Sequence, residues 1–235
     1  MNVKGMPSIL RSLVVALPLV AAACGSTDAP PSRSAAGSVA QSEAPPERLG
    51  ARRRIVFLGD SLTAGLGLPR AQAVPSLIQD RLAAEGHEYE VINAGVSGDT
   101  SAGGLSRLDW SLEGDVEVLV IELGANDGLR GLPVTQMKRN LDQIITRAKA
   151  RDITVILTGM EAPPNYGALY TAEFRKIFRD LADEHDVVFV PFFLDGVAGI
   201  PSLNGRDGIH PNAEGARIIA GTIWRALEPV LDKDR

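Results

Sequence analysis

"RIVFLGDSLTAGLGLP", residues 54–69, runs from an apolar, β-branched segment directly into Gly-Asp-Ser. A run this continuously apolar belongs to a strand buried on both faces, as in a parallel sheet. In an open α/β sheet, ligands bind in the crevice beyond the carboxyl ends of the strands, so Ser61 stands where a hydroxyl could meet a substrate. Asp60 and Ser61 are also good helix caps. Taken alone, the stretch supports either reading.

The sequence downstream extends the pattern. "YEVINA" (89–94), "VEVLVIEL" (116–123), "ITVILTG" (153–159) and "VVFVPFF" (187–193) repeat the apolar run and predict four more buried parallel strands. Helices are predicted at 74–86, around "LSRLDWSL" (105–112), and at 134–151, 171–185 and 213–231. The 134–151 segment is the clearest, because Met137, Leu141, Ile144, Ile145 and Ala148 fall on one helix face. Strands alternating with helices make βαβ units, and hence an α/β fold around a parallel sheet.

The chain has 235 residues, 45% hydrophobic and 23% charged, which suits one domain with a real core. A net charge of −5 and the lack of a basic stripe argue against a nucleic-acid partner. The one tight basic run, "RRR" at 52–54, is shorter than an interaction arm and reads as the solvated approach to the first strand.

Residues 1–24 read separately. Lys4 and Arg11 precede "SLVVALPLVAAAC", too short to span a bilayer and ending in small residues, which is the pattern of a signal peptide. It resembles a bacterial lipoprotein signal, with Cys24 as the lipidated residue, although Ala21 stands where such boxes usually carry Leu; cleavage by the ordinary signal peptidase stays open. Residues 25–51 are rich in Ser, Pro, Ala and Gly and predict a flexible linker, leaving 52–235 as the domain. The expected product is exported, held at a membrane facing the periplasm or cell surface only by this lipid, and otherwise periplasmic or secreted. Cys24 is the sole cysteine, so neither an internal disulfide nor a cysteine-based metal cluster is expected.

Polar residues gather at the predicted strand ends. Strand one ends in Gly59-Asp60-Ser61, strand two in "NAGVSGDTS" (93–101) and strand three in "LGANDGLRG" (123–131), while "DGIHPN" (207–212) precedes the last helix. In a parallel sheet all of these share one rim. Serine needs a base to become a nucleophile, and histidine is the usual one. His87 and His185 lie in polar, charged surroundings expected at the surface. His210 differs: Asp207 can fold back to accept its second ring N–H and stabilise the imidazolium. Donors to a tetrahedral oxyanion could be the N–H groups of Ser61 and Gly95 and the side-chain amide of Asn126. Singly, Gly95 reads as well as a turn and Asn126 as an Asx-turn.

Together these blocks make the chain similar to the SGNH hydrolases of the GDSL lipolytic type from about residue 53 to the C-terminus. "SGDTS", "ELGANDGLRG", "APPNYG", "PFFLDGV" and "DGIHPN" resemble the bacterial thioesterase I, lysophospholipase and arylesterase group. The resemblance implies a flavodoxin-like three-layer α/β/α sandwich with a five-stranded parallel sheet in order 2-1-3-4-5. It implies an open, shallow site with no metal and no cofactor, a triad of Ser61, Asp207 and His210, and an oxyanion hole of Ser61, Gly95 and Asn126. The implied activity is hydrolysis of acyl or aryl esters, extending to thioesters or lysophospholipids, by a monomer acting on small-molecule or lipid esters. Loops 127–134 and 160–170 would line an acyl groove, with Leu129, Leu132 and Tyr166 in its wall.

Other functions fit less well. "GLGLPR" approaches a dinucleotide-binding fingerprint, but Arg70 takes its last position and no acidic residue ends strand two. A metal-dependent phosphoesterase would need more clustered histidines than His210 alone. Thr63 replaces the second glycine of the nucleophile elbow of α/β-hydrolases. A carbohydrate O-deacetylase on the same fold and a non-catalytic solute-binding lipoprotein remain alternatives; the low aromatic content, 5%, favours acyl and aryl esters over sugars.

Overall fold

The structure, a computed structural model, describes residues 53–231. The expected signal peptide, the Cys24 lipidation site and the 25–51 linker lie outside the described residues.

Five strands, β1 (Arg53–Gly59), β2 (Tyr89–Gly95), β3 (Val116–Glu122), β4 (Thr154–Thr158) and β5 (Val188–Val190), pair in parallel in the order β2-β1-β3-β4-β5. The helices are α1 (Ser61–Ala64), α2 (Val74–Ala84), α3 (Ser101–Ser106), α4 (Leu108–Ser111), α5 (Ala125–Leu129), α6 (Val134–Lys149), α7 (Ala168–His185) and α8 (Ala213–Leu231). Helices α2 and α8 pack together on one face of the sheet and α3, α6 and α7 on the other, giving three layers. Met137, Leu141, Ile144, Ile145 and Ala148 are all buried, as their spacing predicts. Among the described residues no helix is long and apolar enough to cross a membrane.

Burial grades across the sheet. Ile55–Leu58 of β1 and Val118–Ile121 of β3 are sealed from solvent. The edge strands, by contrast, read as fully buried in sequence but are half covered: Val91 and Ile92 of β2 and Val188 and Phe189 of β5 keep partial exposure, and Asn93 is exposed. The run 187–193 yields only three strand residues, because Pro191 has no N–H to give a ladder and the chain turns back there. The turn is closed by Phe193 N–H donating to the Gly159 carbonyl at 3.0 Å. The helical segment around 105–112 is likewise two short helices joined at Arg107.

The strand order decides where a site can form. The chain leaves β1 for β2 on one side and comes back to β3 on the other, so β1 and β3 are the neighbours at which the winding reverses. Connections leaving their carboxyl ends diverge and open a crevice between them. Ser61 follows β1 directly and Asn126 lies four residues beyond the end of β3.

Candidate active site

Helix α1 starts without a connecting loop. Asp60 is its N-cap: Oδ1 accepts from the Leu62 N–H at 3.0 Å. Gly65, at φ 77°, ends it one turn later. The cap and the nucleophile readings of Asp60-Ser61 are therefore both realised, by different residues. Asp60 holds the turn, which leaves the Ser61 hydroxyl at the first helical position free to point over the crevice.

The 204–212 loop brings its partner across 149 positions of sequence: Ser61 Oγ lies 2.9 Å from His210 Nε2. Pro211 pairs with Asn204, Gly205 N–H donates to the His210 carbonyl at 2.7 Å, and Asn212 Oδ1 accepts from Glu214 and Gly215 N–H at the start of α8. Asp207 Oδ2 lies 2.8 Å from His210 Nδ1, while Oδ1 accepts from the N–H groups of Ile209 (2.9 Å) and His210 (3.0 Å). Those two N–H donors, with the imidazole, hold the Asp207 carboxyl well below the usual carboxylate range. An ionised Asp207 can only accept, so Nδ1 carries the ring proton and Nε2 turns its lone pair towards Ser61. His185 is engaged elsewhere, with Asp142, and His87 packs on Trp224.

These groups open into a cleft of about 590 Å³ whose lining includes Ser61, Asn126 and His210 together with apolar side chains such as Leu66, Leu129, Met160 and Ile209. A groove of the same volume between β5 and α8 contains none of the site residues. Asn126 Nδ2 donates to Asp60 Oδ2 at 2.9 Å, leaving the second amide proton for the cleft.

Three expected residues sit differently. The N–H of Gly95 is directed to Asn93 Oδ1 at 3.0 Å, and Gly95 does not line the cleft. Its place is held for glycine by close approach: a Cβ there would lie 2.3 Å from the Ala64 backbone nitrogen. The glycine of that loop that does line the cleft is Gly98, at φ 85°. Leu129 is in the wall as expected, whereas Leu132 and Tyr166 are outside it. Tyr166 braces the wall from behind, donating its hydroxyl hydrogen to the Leu129 carbonyl at 2.9 Å.

A polar frame fixes the loops under the cleft. The Arg107 guanidinium donates to the carbonyls of Gly59 (2.9 Å) and Ala94 (2.7 Å), the ends of β1 and β2, and to Asp99 beside Gly98. Buried Asp127 accepts from the N–H and hydroxyl of Ser101, and Arg130 donates to the Gly98 carbonyl. Beneath Ser61, the wholly buried Glu122 accepts through Oε2 from the Asp60 N–H (3.2 Å) and the Thr63 hydroxyl (2.8 Å). Sequence reasoning passed over Glu122, although a carboxyl ending an apolar run expected to be buried was a visible signal. Gly98 lies within the "SGDTS" stretch that carries the family resemblance, whereas Gly95 precedes it.

The profile of the GDSL-like lipase/acylhydrolase family matches residues 57–218. Esterase TesA of Pseudomonas aeruginosa is 42% identical over 182 residues, 77% of this chain and 90% of that protein. The arylesterase of Vibrio mimicus is 40% identical, over 75% of this chain and 89% of its own. Among solved structures, the psychrotrophic esterase EstA of Pseudoalteromonas sp., inhibited by monoethylphosphonate, superposes with a TM-score of 0.73 at 35% identity, covering 77% of this chain and 99% of that one.

Proposed function

The chain belongs to the GDSL-like lipase/acylhydrolase family and is a serine hydrolase acting on esters, and on that premise we propose that Ser61, His210 and Asp207 form its triad and that it cleaves acyl or aryl carboxylic esters of small molecules or lipids. The observation that carries the assignment is the 2.9 Å contact between Ser61 Oγ and His210 Nε2, with Asp207 behind the ring.

In this mechanism Ser61 Oγ bonds to the ester carbonyl carbon as its proton passes to His210 Nε2. The oxyanion accepts from the Ser61 N–H, the second Asn126 amide proton and the Gly98 N–H, which replaces Gly95 in this role because Gly98 lines the cleft. Collapse breaks the bond to the alcohol, or to a thiol in a thioester, and the leaving group takes the proton from Nε2. A water then gives its proton to Nε2 and its oxygen to the acyl carbon, and Ser61 recovers its hydroxyl as the acid departs. The apolar wall of Leu66, Leu129, Met160 and Ile209 favours the acyl chain of the substrate. Thioesters and lysophospholipids are further substrates this cleft is expected to accept, resolved by comparing matched oxygen and thiol esters.

The test is hydrolysis of p-nitrophenyl esters from acetate to palmitate by the purified 52–235 chain and by its Ser61→Ala and His210→Ala variants. Activity that falls by several orders of magnitude in both variants supports the triad; activity indifferent to Ser61→Ala overturns it. The N-terminal pattern supports an exported enzyme anchored through Cys24. Cys24→Ala should then release it from the membrane fraction, and a wild type already outside that fraction would refute the anchor.

A further inference from the structure

Two carboxyl groups are buried together directly beneath the nucleophile. Asp60 and Glu122 are both sealed from solvent, and the Asp60 N–H donates to Glu122 Oε2 at 3.2 Å. Asp60 is well supplied with donors: Leu62 N–H on Oδ1 and the Asn126 amide on Oδ2. Glu122 is not. Its Oε2 takes the Asp60 N–H and the Thr63 hydroxyl, but Oε1 is enclosed and meets no donor among the described residues. An anionic oxygen buried without a donor is costly, whereas a neutral carboxyl carries a proton that it can offer to the neighbouring Asp60 carboxylate. A Cβ on Gly59 would lie 2.0 Å from Thr63 Oγ1 and 2.7 Å from Glu122 Oε2, so the two side chains already occupy the space above the glycine.

We propose that Glu122 works as a neutral carboxylic acid that positions the reaction centre: its Oε1 hydroxyl donates to the Asp60 carboxylate while Oε2 accepts from the Asp60 N–H and the Thr63 hydroxyl. One proton then completes a chain from Glu122 through Asp60 to the Asn126 amide, and fixes both the turn bearing Ser61 and an amide aimed at the oxyanion. It also keeps the pair at a single negative charge, carried by Asp60. Burial, and then the Asp60 charge, push Glu122 well above the usual carboxylate range, consistent with this assignment. The other charged or titratable groups turned towards the turn are His210, from the 204–212 loop, and Arg107, whose guanidinium ends on the Gly59 carbonyl. Glu122 touches no substrate; it is a positioning residue, and the proposal rests on the triad reading above.

The experiment compares Glu122→Gln and Glu122→Leu with the wild type. Gln reproduces the neutral acid, with an amide oxygen to accept and an N–H to donate; Leu removes both. The infrared spectrum of the wild type at neutral pH should contain a protonated-carboxyl C=O band that Glu122→Gln removes, a readout independent of catalysis. Glu122→Gln should retain kcat to within about tenfold, and Glu122→Leu should lose about a hundredfold or more in kcat with KM little changed. On raising the pH, ionisation of Glu122 would place a second charge in the pair, so the wild type should lose thermal stability before Glu122→Gln does. If Glu122→Leu does not fold, the infrared band and the Gln variant decide. Absence of the band, or a Gln variant as damaged as Leu, would overturn the proposal in favour of an ionised carboxylate. Retention of activity in Ser61→Ala would instead remove the triad and leave the buried acid standing.

Discussion

Replacing Asp207 by Asn changes one oxygen for an amide nitrogen, and the loop dictates which one. Oδ1 accepts from two backbone N–H groups, Ile209 at 2.9 Å and His210 at 3.0 Å. Only an oxygen can take that place, so the amide nitrogen is left facing His210 Nδ1, 2.8 Å away in the wild type. Two N–H groups cannot share that contact. The ring responds by moving its proton from Nδ1 to Nε2, which then donates to Ser61 Oγ and can no longer accept its proton. The geometry survives while the base is lost, a situation that costs about 10⁴ in kcat, equivalent to about 5.4 kcal/mol of barrier. KM should change little, because Asp207 does not line the cleft. Asp207→Ala is the control. The wild-type carboxyl is half exposed, so in the Ala variant water can accept from Nδ1 and restore the working tautomer part of the time; its loss should be smaller than that of the Asn variant. Steady-state rates on a p-nitrophenyl ester, with circular dichroism to verify folding, measure both. An Asn variant within tenfold of wild type, or no worse than Ala, would refute the tautomer argument.

The same carboxyl fixes a pH expectation. Because Asp207 is held well below the usual carboxylate range, its ionised form and the contacts it makes persist as pH falls, and are lost only on passing below that lowered value. The acid limb of kcat/KM should therefore survive in Asp207→Ala, and disappearance of that limb in the variant would show that Asp207 itself was titrating. For Asn126→Ala, losing one oxyanion donor should lower kcat by about 10²–10³ with KM little affected; an unchanged kcat would remove Asn126 from the oxyanion hole. Gly95→Ala keeps its N–H but adds a Cβ 2.3 Å from Ala64 N and 2.8 Å from Ala64 Cα and the Thr63 carbonyl carbon, all backbone atoms unable to rotate away. Overpacking of this kind costs about 1–3 kcal/mol, seen as a Tm lower by roughly 2–12 °C, and it should displace the Ser61 turn and depress kcat as well. A variant with wild-type Tm and rate would mean that the loop yields freely, and the close-approach explanation of Gly95 would fail.

What the sequence disclosed and what it withheld separate along a physical line. Apolar runs mark where strands end, and a parallel sheet puts all those ends on one rim, so the meeting of Ser61, Asn126 and His210 could be read from residues 65 and 149 positions apart. Asp207 was legible for a local reason, since a carboxyl three residues before a histidine can reach it within a single turn. Whether a glycine is there for lack of a Cβ, as at Gly95 against Ala64, or for a positive φ, as at Gly98 by the cleft, was not legible, because both demands are written with the same letter. Edge and centre strands were indistinguishable for a similar reason: "YEVINA" and "VEVLVIEL" differ little in apolarity, yet only the second has a strand on each side. Tyr166 was placed near the right loop but on its wrong side, which only the packing of its ring against Gly131 could decide.

Glu122 shows why the residue hardest to see can matter most to the arrangement. A surface loop could not by itself hold Ser61, the Asn126 amide and a third donor to within the tolerance acyl transfer demands. Here the short helix α1 has only one turn, too little to fix its own orientation. Its direction is set from below and from the side: Glu122 holds Asp60 and Thr63, and Arg107 gathers the carbonyl ends of β1 and β2. Each of these polar groups is sheltered because the β1–β3 crevice is flanked by the most buried strands of the sheet, where an unsatisfied charge is least tolerated. These contacts are what make the frame rigid: no member can leave its partner without exposing a buried charge or an unpaired donor. The open, exposed cleft can therefore rest on a site whose precision comes from the interior rather than from the loops that line it.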